Sequence, residues 1–227
     1  MKRRFQATRS SIKDLLTVMA RLRSPTGCPW DREQTHRSLR YHAVEEVYEL
    51  LDAIEAGDDE ELCEELGDLL LQVVFHCQLA RERNAFDFET VARRIVDKLV
   101  GRHPHVFGEA KVKTVEAVWT QWEQIKKAEK HGTKHHRASA LDGIPRHLPA
   151  LLHAEKLVKK ARKAGLIDSP KPKTATRRPR DISRQLFELA TEAHTKGWSA
   201  EELLRSEIRQ RERQLRKCER ASASDGR

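Results

Sequence analysis

Between Glu45 and Asp68 the chain carries twelve Asp or Glu residues and no Lys or Arg. Val47, Leu50, Leu51, Ile54, Leu62 and Leu66 run through the same stretch. Few folds accommodate that combination. The apolar residues recur at helical rather than strand spacing, so the stretch is expected to form amphipathic helices that bury one face. Carboxylates crowded on packed helices repel one another, which destabilises the fold unless a cation binds among them. The island also stands against its surroundings. The whole chain of 227 residues has 44 Lys or Arg and 35 Asp or Glu, a net charge of +9. Outside the island 44 basic groups face 23 acidic ones, a net of +21.

A field of that sign attracts anions, whether nucleic acid or the triphosphate of a nucleotide. Charged residues make up 35% of the chain and aromatics 5%, while Gly and Pro together number 18. This excludes collagen-like and Gly/Pro-rich classes and favours long polar-faced helices. The longest charge-free run in the central apolar region, Leu69 to Ala80, is twelve residues and is interrupted by Gln72 and His76. A bilayer span needs about 20 apolar residues, so none is expected. The basic start MKRRFQATRSS lacks the apolar core of a secretory signal. Its Arg/Ser-rich, acid-poor character is the only hint of a transit peptide. Four cysteines, Cys28, Cys63, Cys77 and Cys218, show no metal-finger spacing, and a reduced, cytoplasmic protein is the expectation.

Helical periodicity extends over most of the chain, and no period-2 segment competes with it, so the fold class is all-α. Ile12, Leu15, Leu16, Met19 and Leu22 form one stripe behind Ser11-x-x-Asp14. The loop SPTGCPWDREQT follows. A second helix is expected from about Arg40 to Ala56, stopping at Gly57-Asp58, and a third from about Asp59 to Asn84 with Leu62, Leu66, Leu69, Val73 and Ala80 on one face. A fourth follows Asp87 and ends at Gly101. After an HPHVFG loop a fifth runs from about Thr114 to Lys130. Another begins at Pro149 and stops at Gly165, and two more cover Asp181 to Lys196 and the segment opened by Ser199-x-x-Glu202. The tail ASASDGR reads as unstructured. This divides the chain into residues 1–130, a connecting segment and helix at 131–167, a basic Pro-rich linker at 168–180, and a helical remnant at 181–227.

Glu45, Glu46 and Glu49 make an E-E-x-x-E on the second helix, and Glu65 and Asp68 make E-x-x-D on the third, with Glu64 alongside. Residues three apart lie about 60° apart around a helix, so each pair shares a face. A chain reversal at Gly57-Asp58 brings the pairs together. Four oxygen ligands suit a hard cation such as Mg²⁺, with Mn²⁺ as the alternative. Two such ions could clamp the attacking and leaving oxygens of a phosphoryl-type displacement. One such motif in a chain this charged is usually a solvated face; two on neighbouring helices without a basic residue between them favour a metal. A di-iron bundle would need Glu-x-x-His on two helices, and the chain has only Glu33-x-x-His36. His42 and His76 read as packed or surface histidines.

These residues resemble the MazG-type nucleoside triphosphate pyrophosphohydrolases. The resemblance runs through LLTVMARLRSPTGCPWDREQTHRSLR, VEEVYELLDAIEAGD, EELGDLLLQVVFHCQLA and DKLVGRHPHVFGE, then through WTQWEQIKKAEK and SALDGIPRHLPALLHAEKLVKKA. It is nearly continuous from Ile12 to Gly165. It implies a helical bundle assembled as a dimer or higher oligomer, with Glu46, Glu49, Glu65 and Asp68 as Mg²⁺ ligands and Glu45 and Glu64 as acidic neighbours. It further implies that Lys98 and Arg102 meet phosphate, that Trp122 stacks on a base and that Lys126 meets phosphate. For Trp122, core packing is an equal reading. The activity implied is hydrolysis of nucleoside triphosphates to monophosphate and pyrophosphate, for nucleotide-pool control or removal of non-standard nucleotides.

The chain departs from the family pattern in two places. Gly101-Arg102 replaces a doubled Arg before HPHVF, removing one cation. Longer relatives repeat the acidic-helix domain, and here the repeat's first acidic helix is replaced by the basic linker, leaving WSAEELLRSEIRQRERQLRK without paired carboxylates. The alternative from another class is a nucleotide-sensing or nucleic-acid-binding protein that keeps the fold without turnover.

Overall fold

Helix starts and stops follow local chemistry throughout the computed structural model, which describes residues 10–112, 114–129, 132–133, 138–167 and 178–225. Ten helices and no strands occur among those residues: α1 (Ser11–Leu22), α2 (Pro29–Glu33), α3 (His42–Ala56), α4 (Asp59–Glu82), α5 (Phe88–Arg102), α6 (Pro104–Phe107), α7 (Val115–Ala128), α8 (Ala150–Lys163), α9 (Pro179–Thr195) and α10 (Ala200–Asp225). The chain is all-α, as expected. It forms two compact units, one through Trp122 and one from Glu123 onward.

In the first unit α1, α3 and α5 all pack on α4 as a helical bundle. Ser10 caps α1 and accepts from the Lys13 amide at 3.5 Å, one residue before the expected start signal. The reversal between α3 and α4 takes only two residues. Gly57, at φ +70°, occupies the left-handed cap position that an L side chain resists, and its amide donates to the Ala53 carbonyl at 3.1 Å. Asp58 then caps α4, accepting from the amides of Glu60 and Glu61 at 2.9 and 3.2 Å. Asp87 does the same for α5 through Thr90. The buried centre consists of Met19, Leu39, Val74, Phe75 and Leu79, with Leu15, Leu16, Leu70, Leu71 and Phe88 against it. Each such large side chain contributes about 1.5–3 kcal/mol by leaving water.

Five local expectations differ from the structure. The SPTGCPWDREQT segment is not wholly loop, because Pro29 opens the short helix α2 within it. The apolar face assigned to α4 is only partly the buried one. Leu66 and Val73 are exposed, whereas Gln72, Val74, Phe75 and Cys77 are buried, because a helix apolar nearly all round from Leu69 onward carries no single readable stripe. The HPHVFG segment is not wholly loop. Pro104 sits at the first position of the one-turn α6, and α5 continues through Gly101 to Arg102. The helix α9 starts at Pro179 rather than Asp181, since proline's fixed φ suits a first turn. The tail read as unstructured continues α10 to Asp225, alanines extending a helix already nucleated. The linker from 168 to 177 and most of the basic run before Ser139 lie outside the described residues.

In the second unit α8 and α10 pack together around a small core of Leu141, Ala150, Leu157, Ala161 and Ile208. Glu201 accepts from the Ala150 amide at the start of α8 (3.0 Å). Glu219 on α10 accepts from Ser139 Oγ (2.5 Å) and the Ala140 amide (2.7 Å). Carboxylates from one end of α10 to the other thus fasten it to the segments around α8.

Candidate functional site

Glu49 lies eight residues before Gly57 and Glu65 eight after it, so the two-residue reversal sets these carboxylates opposite each other on α3 and α4. The outcome is a three-carboxylate cluster. One oxygen each from Glu46, Glu49 and Glu65 lies within 4.8 Å of the other two. Glu46 and Glu65 are half-buried and Glu49 is exposed. One Glu65 oxygen, Oε2, is sealed from solvent and has no hydrogen-bond partner. Asp68 falls outside the 4.8 Å grouping, but its charge acts on both Glu49 and Glu65.

The protonation equilibria record this crowding. Desolvation first, then the charges of Glu46 and Glu45, raise the Glu49 carboxyl above its ordinary value. Desolvation, then Glu49 and Asp68, raise that of Glu65. Concentrated negative charge held partly out of water is stabilised by a positive charge brought among the carboxylates. The donors are oxygen only, which suits a hard divalent cation. A Cβ placed on Gly67, between Glu65 and Asp68 in sequence, would meet nothing within 4 Å, so α4 is open there.

Gln72 is a site residue that pattern reading passed over. It is buried, and its Nε2 donates to Glu46 Oε1 at 3.1 Å, fixing that carboxylate from the neighbouring helix. Its own Oε1 is sealed without a partner. The available signal was its place four residues after Asp68, where an amide interrupts an apolar run. His76, one turn further, stacks on His36 with ring centroids 5.1 Å apart and Nδ1 atoms 2.9 Å apart. Burial and the His36 charge lower its pKa. Both histidines are thus packed, one of the two readings, packed or surface, expected for His76.

The remaining expected positions separate. Glu45 is exposed and faces His42 Nδ1 at 3.6 Å. Lys98 is exposed on α5. Arg102 is buried, its guanidinium 5.6 Å from the ring centroid of Trp122. Trp122 makes an edge contact with Trp119 at 5.4 Å, and Lys126 follows it by one helical turn on α7. Arg102 and Trp122 therefore meet each other across some twenty residues of sequence. The CPWD segment, which opens α2, is anchored by Arg23, which ion-pairs with Glu82 at 2.7 Å and donates to the Asp31 carbonyl. Trp30 on α2 packs edge-on against His42 at the start of α3.

With this geometry in place, comparison with known proteins is informative. Residues 34–107 match the MazG nucleotide pyrophosphohydrolase domain. That range contains Glu46, Glu49, Glu65, Asp68 and Gln72. The nucleoside triphosphate pyrophosphohydrolase of Escherichia coli K12 is 48% identical over 157 residues, 69% of this chain and 59% of that protein. The nucleoside triphosphate pyrophosphohydrolase/pyrophosphatase MazG of Thermotoga maritima is 46% identical over 154 residues, covering 68% and 58%. An uncharacterized 26.1 kDa protein of Streptomyces cacaoi is 43% identical over 197 residues, covering 86% of this chain and 77% of its own. The match spans about three-fifths of the length of the first two relatives. The carboxylate hairpin of α3 and α4 lies wholly inside residues 34–107, and the chain is a homologue of the MazG-family proteins.

Proposed function

We propose that the protein is a nucleoside triphosphate pyrophosphohydrolase, cleaving between the α and β phosphates to release monophosphate and pyrophosphate. The observation that carries this reading is the convergence of Glu46, Glu49 and Glu65 oxygens within 4.8 Å. The donor set fits Mg²⁺, with Mn²⁺ as a substitute, because it is all oxygen and includes the sealed, unpartnered Glu65 Oε2. In the proposal Asp68 completes the ligand set. Bound there, the ion supplies charge neutralisation and Lewis acidity to the triphosphate.

The protein's own groups do the rest. Gln72 holds Glu46 in position for the ligand set. Glu45 and Glu64 add negative charge at the rim, and one of the clustered carboxylates takes the proton of the attacking water. Lys98 and Lys126 meet phosphate, since each offers a mobile ammonium. Trp122 offers an indole face for a base, and Arg102, stacked on that ring, sets its plane while contributing positive charge. The role is nucleotide-pool control or removal of non-standard nucleotides, in the cytoplasm.

A homodimer or higher oligomer is part of the same reading. Tyr48, Leu51, Ile54, Leu66, Ile95 and Leu99 are exposed on α3, α4 and α5. Apolar side chains gathered on three neighbouring helices favour burial against another copy of the chain. All four cysteines are free, which agrees with a reduced compartment. The decisive screen measures pyrophosphate release from the eight common NTPs and dNTPs, and from deaminated and oxidised ones, with and without Mg²⁺. Metal-dependent release supports the proposal. Salt-sensitive binding of DNA or RNA without any turnover would favour the non-catalytic alternative.

A further inference from the structure

The second unit holds a cleft of about 530 Å³ between the 141–146 turn, His153 on α8 and one face of α10. Arg205, Arg209, Arg213 and Arg216 line it from α10, and successive helical rotations place them within an arc of about 80°. Like charges spaced four apart destabilise a helix unless something opposes them. Two of the four are opposed from within the chain. Arg216 pairs with Asp142 at 2.8 Å and Glu212 at 2.6 Å, which occupies both carboxylates of the cleft. Arg205 pairs with Glu201 and donates to the carbonyls of Arg146 and Leu148.

Arg209 and Arg213 are exposed and have no ion pair among the described residues, and neither has Arg146 across the cleft. The acids of α10 that could have served them are engaged elsewhere. Glu207 pairs with Arg211, and Glu219 accepts from Ser139 and Ala140. The Nε2 of His153, also on the cleft wall, is sealed without a partner. Three uncommitted guanidinium forks thus face a concave space of ligand size. Such forks match phosphate oxygens in bidentate fashion. A concave space of about 530 Å³ suits a compact polyanion better than an extended nucleic-acid backbone.

We propose that this cleft is an anion site for a condensed phosphate, either pyrophosphate-like or the phosphate tail of a nucleotide, held by Arg146, Arg209 and Arg213. It lies wholly in the second unit and does not depend on the hydrolytic reading of the α3–α4 carboxylates. Titration calorimetry on the full chain in EDTA, at about 0.1 M salt, tests it with inorganic tripolyphosphate and ATP as separate probes. Chelation leaves the carboxylate cluster without a cation, so binding there is opposed by charge. The expected result is saturable binding that weakens at least tenfold in Arg209→Ala/Arg213→Ala and in Arg146→Ala, and is unchanged in Glu49→Gln. Equal affinity for both probes assigns recognition to the phosphate chain, and tenfold tighter ATP assigns it to a nucleotide. Circular dichroism establishes that the variants fold; a variant that does not is replaced by Arg209→Gln/Arg213→Gln. The proposal is overturned by absence of saturable binding, by binding indifferent to the arginine substitutions, or by a single-stranded oligonucleotide that outcompetes tripolyphosphate.

Discussion

Replacing Arg23 with Met keeps an apolar stem but removes a guanidinium that holds four acceptors. Its side chain is 8% exposed, at the end of α1. It donates to both oxygens of Glu82 at 2.7 Å, to the Asp31 carbonyl, and to the Gln34 carbonyl at 3.4 Å, and it lies 5.6 Å from the Phe75 ring centroid. Loss of a charge-assisted pair costs about 1.5–3 kcal/mol, and each carbonyl left without a donor adds up to about 1 kcal/mol when half-buried. Glu82 is 36% exposed, so solvent recovers part of its share. A net loss of about 2–4 kcal/mol results. At about 4–5 °C per kcal/mol for a domain of this size, the first unit should melt roughly 8–20 °C lower. Glu82 adds a pH signature. The Arg23 hydrogen bonds hold its carboxyl below the ordinary 4.5. A depressed carboxylate stabilises the fold above the unfolded-state value, and that stabilisation disappears as pH falls through the folded-state value. The stability gap between wild type and Arg23→Met should therefore narrow below pH 4.5. Thermal melts with a Glu82→Gln double-mutant cycle measure both effects. A loss under about 1 kcal/mol, additive effects in the cycle, or a gap that persists unchanged into acid would refute the reasoning.

Glu65→Gln should raise the melting temperature of the metal-free protein and abolish its rise with Mg²⁺. The sign follows from the raised carboxyls of Glu49 and Glu65, whose stabilising protonated form is lost as pH rises through their folded-state values; melts from pH 4 to 8 with and without Mg²⁺ check it. The depressed His76 means that the fold loses stability as pH falls from 6.5 through its lowered value. His76→Gln should flatten that slope, as chemical denaturation at pH 5 and 7 would record. Ending the chain near Ser169 removes α9 and α10 and uncovers Leu157 and Ala161. The shortened protein should aggregate more readily in analytical ultracentrifugation yet keep its pyrophosphohydrolase activity, because the carboxylate cluster lies on α3 and α4.

Helix identity was legible wherever one apolar stripe faced one core, as in α1, and wherever a cap residue stood at a boundary, as at Gly57-Asp58 and Ser199. Three of the four expected carboxylates, Glu46, Glu49 and Glu65, converge for the same reason, local spacing joined by one short reversal, whereas Asp68 stands outside the grouping. What escaped reading depends on contacts distant in sequence. Arg23 meets Glu82 across 59 residues, His36 meets His76 across 40, and Gln72 reaches Glu46 across 26. No local period signals such partnerships. The burial of Arg102 under Trp122 is of the same kind, since a basic residue at a helix end reads as solvated until its neighbour is known. The exposed Leu66 and Val73 show the converse, an apolar pattern that nothing within this unit's core uses.

The central claim is that the α3–α4 carboxylates bind the cation that drives triphosphate cleavage. Pyrophosphate release by wild type, Glu49→Gln and Asp68→Asn, measured across an Mg²⁺ titration with helix content monitored in parallel, tests it most directly. Both substitutions keep side-chain shape and remove one ligand charge. The account predicts metal-dependent release by wild type and at least a hundredfold loss in each variant, with helix content retained. Release at the wild-type rate by both variants, over the same Mg²⁺ range, would show that the acidic cluster is only a solvated face.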